Sequence, residues 1–285
     1  MSDTIKCLDQ GFVRLVDVMG DDSSIVQAAR VSYGKGTKNI RQDKGLIHYL
    51  MKHQHMSPFE MVEFKFHCKM PIFVARQWIR HRTANVNEIS GRYSVMEDTF
   101  WVPSPEDLRQ QAKINRQGSI EEAVSEPANS EILKRYSQDI ETIFKHYNEY
   151  IQKGVAREVA RATLPLSTYT EWYWKMDLHN LLHFLELRME AHAQKEIRVY
   201  AEAIAEFVKQ KCPFTWEAFV EHRLNAAKFS DSEMAILRNT LKKDGLIDKV
   251  LNERKSQLMQ NETSELLIQT ELAELRSKLT GEKLE

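Results

Sequence analysis

The segment VEFKFHCKM, residues 62–70, alternates between apolar and polar side chains along its whole length. A repeat of two residues places successive side chains on opposite faces of a β-strand, so one face of this segment is apolar and the other is polar. The apolar face carries Val62, Phe64, Phe66 and Cys68. We therefore predict a half-buried strand over 62–70, which needs partner strands and a covering layer.

The chain before this strand predicts one further strand and two helices. GFVRLVDV, residues 11–18, also alternates and predicts a strand. The acidic and hydroxyl side chains at 21–24 predict a helix cap, and we expect the helix to reach about residue 31. Pro58 predicts a turn before residue 62, because the residue preceding a proline avoids the helical region. The remaining predictions here are a loop over 33–39 and a helix over 41–53.

The chain after the strand predicts helices and short strands. Pro71 suits the first turn of a helix, which we expect to end at about residue 80. The β-branched and aromatic run STYTEWYWKM, residues 167–176, predicts another strand. The other predictions are a loop and strand start over 80–94, an irregular surface segment over 98–130, a long helix to about 152, a short helix ended by Pro165, and helices over 177–189 and 194–211.

Residues from about 226 onward differ in composition from the rest of the chain. No aromatic side chain follows Phe229, and charges of both signs alternate along the segment. A short apolar stripe with the spacing of a coiled-coil seam is formed by Ile268, Leu272, Leu275 and Leu279. We predict a helical appendage, either a solvated helix with one apolar seam or a self-associating helix.

Composition excludes several classes of protein. The chain has 285 residues, 42% of them hydrophobic, which is enough for one large domain or two small ones. Its 40 lysines and arginines balance 41 acidic residues, so no global charge attracts nucleic acid or an anionic membrane. Three cysteines without a CxxC motif indicate a reducing, cytoplasmic environment. The N-terminus lacks the apolar core of a secretion signal, and no apolar run is long enough to span a membrane.

Positive charge is concentrated in RQWIRHRTANVNEISGRYS, residues 76–94, which contains four arginines and a histidine. On a helix, Arg76 and Arg80 share a face beside Gln77. Guanidinium groups bind phosphate oxygens in pairs, and the hydroxyl of Ser90 can donate to the same anion. A pocket for a phosphorylated ligand, an internal ion-pair loop and a nucleic-acid surface are all consistent with this composition.

The helix predicted over 177–189 carries a cation at the edge of its apolar face. At about 100° per residue, Arg188 falls beside Leu181 and Phe184. A half-buried guanidinium needs a partner, because an unpaired charge is costly to bury. An anionic or aromatic ligand, the carboxylate of Asp177, and a glutamate elsewhere in the fold are the alternatives.

The same helix contains HNLLH, in which His179 and His183 have the spacing of a zinc-binding HExxH helix. Asn180 stands where that motif has its glutamate, so a zinc hydrolase is a minor alternative and we expect no metal. The loop histidines His53 and His55 suit ligation or proton transfer, but ordinary hydrogen bonding is the commoner role. No GxGxxG or GxxxxGK[ST] motif indicates a dinucleotide-binding or P-loop site.

RHRTANVNEISGRYS, residues 80–94, resembles the signature of the flavin-dependent thymidylate synthases, an Arg-His-Arg triplet followed after seven residues by serine. Further segments that resemble the family, in family order, are HMSPFE, GVAREVARATLP, LLHFLELRMEAHAQKEIRVYA and CPFTWEAF. The resemblance covers residues 25–222 approximately and is weak over 98–130.

This resemblance implies an α+β fold, a twisted and mainly antiparallel sheet flanked by helices, with a helical C-terminal appendage. Residues 1–225 are then the catalytic domain and residues 226–285 a charged helical extension. The implied activity is reductive methylation of dUMP to dTMP, with methylenetetrahydrofolate as one-carbon donor and NADPH-reduced FAD as hydride source, releasing tetrahydrofolate. A cytoplasmic homotetramer with active sites shared between subunits is also implied. Neither a nucleic-acid polymer nor a membrane is an expected partner.

The resemblance also assigns roles to individual positions. Arg188 is the expected catalytic residue, which contacts the uracil ring and favours its ionised form. The expected dUMP contacts are Gln77, Trp78, Ile79, Arg80, Glu88, Ile89, Ser90, Gly91, Arg92, Arg161 and Arg188. The expected FAD contacts are Ser57, Arg80, His81, Arg82, Glu88, Asp177, His179 and His183, with His55 as a possible neighbour of the flavin. Asp177 and His183 replace an asparagine found in some relatives, and Met61 replaces a common histidine.

Each alternative class of protein predicts a different experimental result. Ser90 is interpreted as a binding residue and not a nucleophile, because the sequence shows no general base for it. A nucleic-acid-binding protein would lose affinity steeply with salt, whereas binding of a mononucleotide depends on salt only modestly. A zinc hydrolase would contain metal. A scaffold built around the C-terminal segment would lose its function on deletion of that segment.

Overall fold

The structure of this protein, a computed structural model, describes residues 3–31, 40–114, 118–260 and 265–282, with the backbone alone at 40–42. The chain forms two compact units, Met1–Asn225 and Ala226–Glu285. The loop predicted over 33–39 lies outside the described residues.

The first unit is built on an antiparallel sheet. Its strands in chain order are β1 (Thr4–Cys7), β2 (Gly11–Met19), β3 (Glu63–Pro71), β4 (Asn85–Glu88), β5 (Arg109–Gln111), β6 (Ser119–Ala123) and β7 (Tyr169–Asp177). Five of them form one sheet in the order β1-β2-β3-β7-β4, with every neighbouring pair antiparallel. The strands predicted over 11–18, 62–70 and 167–176 are β2, β3 and β7, and the predicted mainly antiparallel sheet is confirmed.

The core lies on one face of β3 and β7. Phe64, Phe66 and Cys68 are fully buried, as the alternation of the sequence predicts. Trp172 and Trp174 occupy the same face of β7 and are also buried. Because burial of a large apolar side chain contributes about 1.5–3 kcal/mol, this row of rings is a major source of stability for the sheet.

Helices cover and flank the sheet. They are α1 (Asp22–Arg30), α2 (Ile40–Lys52), α3 (Ile72–Trp78), α4 (Ala128–Gln152), α5 (Arg157–Ala160), α6 (Leu178–Arg188), α7 (Lys195–Lys211) and α8 (Pro213–Phe219). Single turns of 3₁₀ helix occupy Ser57–Met61, Pro105–Asp107 and Arg161–Thr163, and a π-helical turn occupies Val220–Leu224. The long helix and the helices predicted around α1, α2, α3, α6 and α7 are confirmed within two residues at each predicted end.

A buried carboxylate ties α1 to α8. Asp21 caps α1, as predicted from the sequence. The next residue, Asp22, is buried and accepts hydrogen bonds from the backbone N–H of Phe214 at 2.8 Å, the backbone N–H of Thr215 at 3.0 Å and the Thr215 hydroxyl at 2.6 Å. Burial raises the pKa of Asp22, and these hydrogen bonds act in the opposite direction.

The prediction of an irregular segment over 98–130 was wrong in part. β5 and β6 form a two-stranded hairpin there, and α4 already begins at Ala128. The strands Arg109–Gln111 and Ser119–Ala123 carry mostly polar side chains, so the period-two apolar signal of a strand was missing. The sequence reasoning also missed α8 and the π-helical turn after it.

The second unit is helical, as predicted. Its helices are α9 (Asp231–Lys243), α10 (Ile247–Gln260) and α11 (Glu265–Thr280). In the predicted stripe, Ile268 is buried and the three leucines that follow are half-buried, so the stripe packs within the unit. Asp248 and Arg276 form an ion pair at 2.8 Å between α10 and α11. None of the helices in the described ranges combines the length and apolarity that a membrane span requires.

Candidate active site

Arg188, at the C-terminal end of α6, is a half-buried cation held by neutral groups. Its Nε donates to Nε2 of His81 at 3.1 Å, and its Nη2 donates to the carbonyl oxygen of Gln77 at 3.3 Å. Within the described part of the chain no carboxylate pairs with it, so Asp177 is not the partner that the sequence left open. Burial lowers the pKa of the guanidinium, which is the effect expected for a cation without a counter-charge.

His81 lies between α3 and α6 and is a hydrogen-bond acceptor. Its ring meets Phe184 edge-on with centroids 5.0 Å apart and His183 at 6.0 Å. Burial, followed by the charges of Arg188 and His183, lowers the pKa of His81 to about 4. The imidazole is therefore neutral near pH 7, and its Nε2 lone pair is free to accept from Arg188.

Trp78 anchors the helix that carries this cluster. Its indole ring is fully buried and lies 5.3 Å from Trp172, 5.1 Å from Trp174 and 5.1 Å from Phe184, measured between ring centroids. The side chain of Trp78 thus belongs to the core. The anchor fixes the position of the Gln77 carbonyl and of the Arg-His-Arg triplet that follows.

A tight turn places Ser90 and Gly91 beside Arg161. The carbonyl of Ser90 accepts from the backbone N–H of Tyr93 at 3.0 Å, and its hydroxyl oxygen accepts from the backbone N–H of Arg92 at 3.3 Å. A Cβ atom at buried Gly91 would lie 3.1 Å from Cδ of Arg161. The absence of a Cβ atom at Gly91 thus leaves room for the side chain of Arg161 against the turn.

The short helix α5 holds this turn from the other side. Arg92 pairs with Glu158 at 3.2 Å, and Nη1 of Arg157 donates to the carbonyl of Tyr93 at 2.7 Å. The sequence reasoning missed Arg157 and Glu158. The four-residue spacing between Arg157 and Arg161 was the available signal, since it places both arginines on one helical face.

Glu88 ends the edge strand β4 in a defined orientation. One carboxylate oxygen accepts from the hydroxyl of Thr170 at 2.6 Å. The backbone N–H of Ile89 donates to the carbonyl of Glu171 at 2.9 Å and extends the pairing with β7. Both Glu88 and Ile89 are exposed, so this end of the sheet presents an ordered carboxylate to solvent or ligand.

Three arginines of the basic stretch have no counter-charge among the residues that the structure describes. Arg76, Arg80 and Arg82 are exposed, and none of them forms an ion pair with any residue in the described ranges. An internal ion-pair loop, one of the alternatives from the sequence, does not account for them. Guanidinium groups without carboxylate partners have the donor chemistry that binds phosphate and diphosphate groups.

The N-terminal end of α6 carries another group of predicted residues. Asp177 caps the helix, accepting from the backbone N–H of Asn180 at 2.9 Å and from its side-chain amide at 2.7 Å. His179 contacts Glu60 at 3.3 Å, in the 3₁₀ turn that begins with exposed Ser57. His183 is exposed one helical turn further on.

His55 is exposed and lies 6.0 Å from Tyr49 and 6.2 Å from His53 between ring centroids. The described residues contain no group of three or more His, Cys, Asp or Glu side chains that could hold a metal ion. Among these residues, His179 and His183 are thus not part of a larger cluster of potential metal ligands.

The structure adds Gln194 to the predicted residues. The side-chain amide of Gln77 donates to Oε1 of Gln194, just before α7. Predicted site residues thus fall into a group around Arg188, a group around Ser90 and a group at the start of α6. His81 and His183 connect the first and third groups through their ring contact.

Comparison with known proteins identifies relatives over most of the chain. A family profile described as "Thymidylate synthase complementing protein" matches residues 14–214. A flavin-dependent thymidylate synthase from Treponema denticola is 53% identical over 253 residues, covering 88% of this chain and 95% of the relative. One from Thermus thermophilus is 58% identical over 238 residues, covering 84% and 86%.

A solved structure shares the fold. The UMP/dUMP methylase PolB from Streptomyces cacaoi, bound with 5-Br dUMP, matches with a TM-score of 0.70 and 33% sequence identity. The match covers 77% of this chain and 99% of that protein.

Proposed function

This chain belongs to the flavin-dependent thymidylate synthase family, and on that premise we propose that it converts dUMP to dTMP by reductive methylation. It is a methyltransferase that uses a flavin. The Streptomyces relative supports the choice of substrate, since it is a UMP/dUMP methylase.

The observation that carries the proposal is the uncompensated charge of Arg188. The guanidinium is half-buried, its protein partners are the neutral His81 ring and the Gln77 carbonyl, and its Nη1 has no partner among the described residues. A cation kept in this state is complementary to an anion that forms during reaction.

In the proposed mechanism Arg188 contacts the pyrimidine ring of dUMP. It favours the ionised N3 form and the negative charge that develops on the ring as C5 becomes nucleophilic. A preorganised donor of this kind contributes on the order of 3–4 kcal/mol to transition-state stabilisation. His81 keeps the guanidinium in place without neutralising it.

We assign the nucleotide phosphate to the turn at residues 90–94. Ser90, Arg92 and Arg161 converge there, and the absence of a side chain at Gly91 allows Arg161 to approach. Gln77, Arg80 and Glu88 are assigned to the nucleoside. We propose that Trp78, Ile79 and Ile89 contact the nucleotide through backbone groups. The ring of Trp78 is fully buried in the core and cannot reach a ligand.

The residues present suit an FAD diphosphate. Arg80 and Arg82 are exposed and have no carboxylate partner in the described part of the chain, and His183 lies nearby through its contact with His81. We propose that these residues, with Ser57, His55, Glu88 and His179, hold the cofactor, whose chemistry is to supply the hydride that completes the methyl group. Asp177 is assigned to capping α6, since Asn180 engages both of its oxygens.

The remaining reactants are proposed because the family resemblance implies them. Methylenetetrahydrofolate would donate the methylene group and leave as tetrahydrofolate, and NADPH would supply the two reducing electrons that the bound flavin would carry. We propose a cytoplasmic homotetramer with shared active sites. Arg76, Arg80 and Arg82 are exposed in the single chain, which supports active sites shared between subunits, because a neighbouring subunit would enclose these arginines.

A visible absorption spectrum titrated with dUMP tests the proposal. We expect bound flavin, a shift of its band on addition of dUMP, and formation of dTMP and tetrahydrofolate when methylenetetrahydrofolate and NADPH are added. A protein that takes up no FAD and does not respond to dUMP contradicts the proposal. Tight binding to single-stranded nucleic acid with a steep salt dependence would instead support the polynucleotide alternative.

A further inference from the structure

Thr170 is a buried polar residue of β7 that none of the assignments above includes. It is only 3% exposed, and its hydroxyl donates to Oε1 of Glu88, the last residue of the edge strand β4, at 2.6 Å. The other carboxylate oxygen of Glu88 has no hydrogen bond or ion pair within the described ranges. One oxygen of an exposed carboxylate is therefore anchored to the core of the sheet, and the second oxygen is left to accept from another group.

The register of the sheet places this contact on the side of the candidate active site. Glu88 lies opposite Trp172 in the pairing of β4 with β7, and Thr170 shares the face of Trp172 because side chains alternate along a strand. Thr170 is thus the diagonal neighbour of Glu88 across the strand pair. The ring of Trp172 packs against Trp78 of α3 at 5.3 Å, and Arg188 donates to a backbone carbonyl of the same helix. The anchored carboxylate and the cluster around Arg188 therefore lie on one side of the sheet.

The chemistry of a carboxylate limits what Glu88 can bind. An ionised carboxylate only accepts hydrogen bonds, and it repels other anions. In the site proposed above, the phosphate of dUMP is assigned to the turn at residues 90–94, and the pyrimidine ring, with its developing negative charge, is assigned to Arg188. Between these two parts the nucleotide carries one neutral donor, the 3′-hydroxyl of its deoxyribose. Glu88 precedes Ser90 by two residues, as a sugar contact beside the phosphate contact should.

We propose that Thr170 is a positioning residue, whose hydroxyl fixes one oxygen of Glu88 so that the other oxygen accepts from the 3′-hydroxyl of dUMP. The threonine does not touch the nucleotide and acts only through the carboxylate. A free glutamate side chain loses rotamer freedom when a ligand binds, whereas an anchored one has already lost it on folding, which reduces the cost of binding. This role rests on the proposed function, since it requires dUMP in the site.

The test uses the full-length protein saturated with FAD, with dUMP binding followed by the flavin band and turnover by steady-state kinetics. Thr170→Val replaces the hydroxyl by a methyl group of similar size. The Kd and KM for dUMP should rise about 10-fold, as expected for loss of a hydrogen bond to a charged group. The kcat should stay within about twofold, because a sugar contact is the same in the ground state and the transition state. Thr170→Ser keeps the donor and should restore most of the affinity.

Thr168→Val is the matched control. Thr168 is fully buried just before β7, and its hydroxyl has no hydrogen-bond partner among the residues that the structure describes. The same substitution there should leave dUMP binding unchanged. Urea unfolding establishes that each variant is folded, and Thr170→Ala provides the same comparison if Thr170→Val does not fold.

A nucleotide that lacks the 3′-hydroxyl separates positioning from a general effect on the site. We expect 2′,3′-dideoxyuridine 5′-monophosphate to bind the unaltered protein about 10-fold more weakly than dUMP, and to bind Thr170→Val equally weakly, since coupled groups do not have additive effects. An equal loss for both nucleotides in Thr170→Val would overturn the role, and so would an unchanged dUMP affinity or a similar loss in Thr168→Val. A protein that binds no dUMP overturns the proposed function as well. An enzyme that forms dTMP but does not distinguish these variants contradicts only the role of Thr170.

Discussion

The Nε of Arg188 donates to Nε2 of His81 across 3.1 Å, and this contact joins two groups whose pKa values burial has lowered. A carboxylate in the place of His81 would hold the guanidinium equally well but would cancel its charge. The neutral imidazole positions the guanidinium and leaves the charge available to a ligand. The pair therefore has the properties of a preorganised anion-binding element.

Replacement of Arg188 tests this interpretation through catalysis. Arg188→Ala should retain bound flavin, weaken dUMP binding and lower kcat by at least about 100-fold, as expected for loss of one preorganised donor. Arg188→Lys should also lose most activity, because a point charge does not reproduce the planar fork. Steady-state kinetics together with the flavin spectrum give the result, and unchanged kinetics in Arg188→Ala would refute the role.

The protonation of His81 predicts a pH-dependent stability. In the unfolded chain a histidine has a pKa near 6.5, whereas in the folded chain the pKa of His81 is about 4. Between these values the unfolded state binds the proton and the folded state does not, so acidification from pH 6.5 towards pH 4 lowers stability. The slope from this group is at most about 1.4 kcal/mol per pH unit.

Urea unfolding of the unaltered protein and of His81→Gln, from pH 7 to pH 4.5, measures this contribution. Glutamine keeps an acceptor for Arg188 and does not titrate, so the variant should lose less stability on acidification. His146→Gln, at an exposed ring on α4, controls for loss of an imidazole as such. Parallel curves for the unaltered protein and His81→Gln would exclude a linkage through His81.

Local sequence patterns predicted the framework because single segments carry the necessary signal. Alternation in β3 and the polar cap before α1 depend on neighbours in the sequence, and both were confirmed. The hairpin of β5 and β6 has no such pattern, since polar strands owe their pairing to the surrounding structure. The partner of Arg188 was also unpredictable, because His81 is 107 residues away and the contact depends on the packing of α3 against α6.

Gly91 provides a test of the phosphate site. In Gly91→Ala the new Cβ would lie 3.1 Å from Cδ of Arg161 and 3.2 Å from Sδ of Met96, so both side chains must move by a few tenths of an ångström. We expect dUMP affinity to fall about 10-fold, with a loss of stability of about 1 kcal/mol. Gly45→Ala is the matched control, since a Cβ there meets nothing within 4 Å.

The control variant Gly45→Ala should bind dUMP as the unaltered protein does. It should also be slightly more stable, because alanine is more favourable than glycine in a helix interior by up to about 1 kcal/mol. Equal dUMP affinity in the two glycine variants would remove Arg161 from the phosphate site.

Replacement of Asp22, which lies away from the candidate site, should lower the free energy of unfolding strongly. Asp22→Ala leaves the two backbone N–H groups and the Thr215 hydroxyl without their buried acceptor, which should cost about 3 kcal/mol or more. Asp21→Ala removes an exposed helix cap and should cost only about 1 kcal/mol. Urea unfolding of both variants measures the two losses of stability. A smaller loss of stability in Asp22→Ala than in Asp21→Ala would contradict the proposed role of Asp22 in joining α1 to α8.

The boundary between the two units predicts that the C-terminal segment is dispensable for chemistry. Every predicted site residue lies in Met1–Asn225, the family profile ends at residue 214, and α9, α10 and α11 pack in a unit of their own. A chain truncated after Asn225 should therefore fold, bind flavin and form dTMP within about twofold of the full-length rate, as a unit with its own core can. Circular dichroism measures folding of the truncated protein, flavin absorbance measures cofactor binding, and a turnover assay measures dTMP formation. A truncated protein that folds and binds flavin but forms no dTMP would show that residues 226–285 act in catalysis, and the assignment of a separate extension would then be wrong.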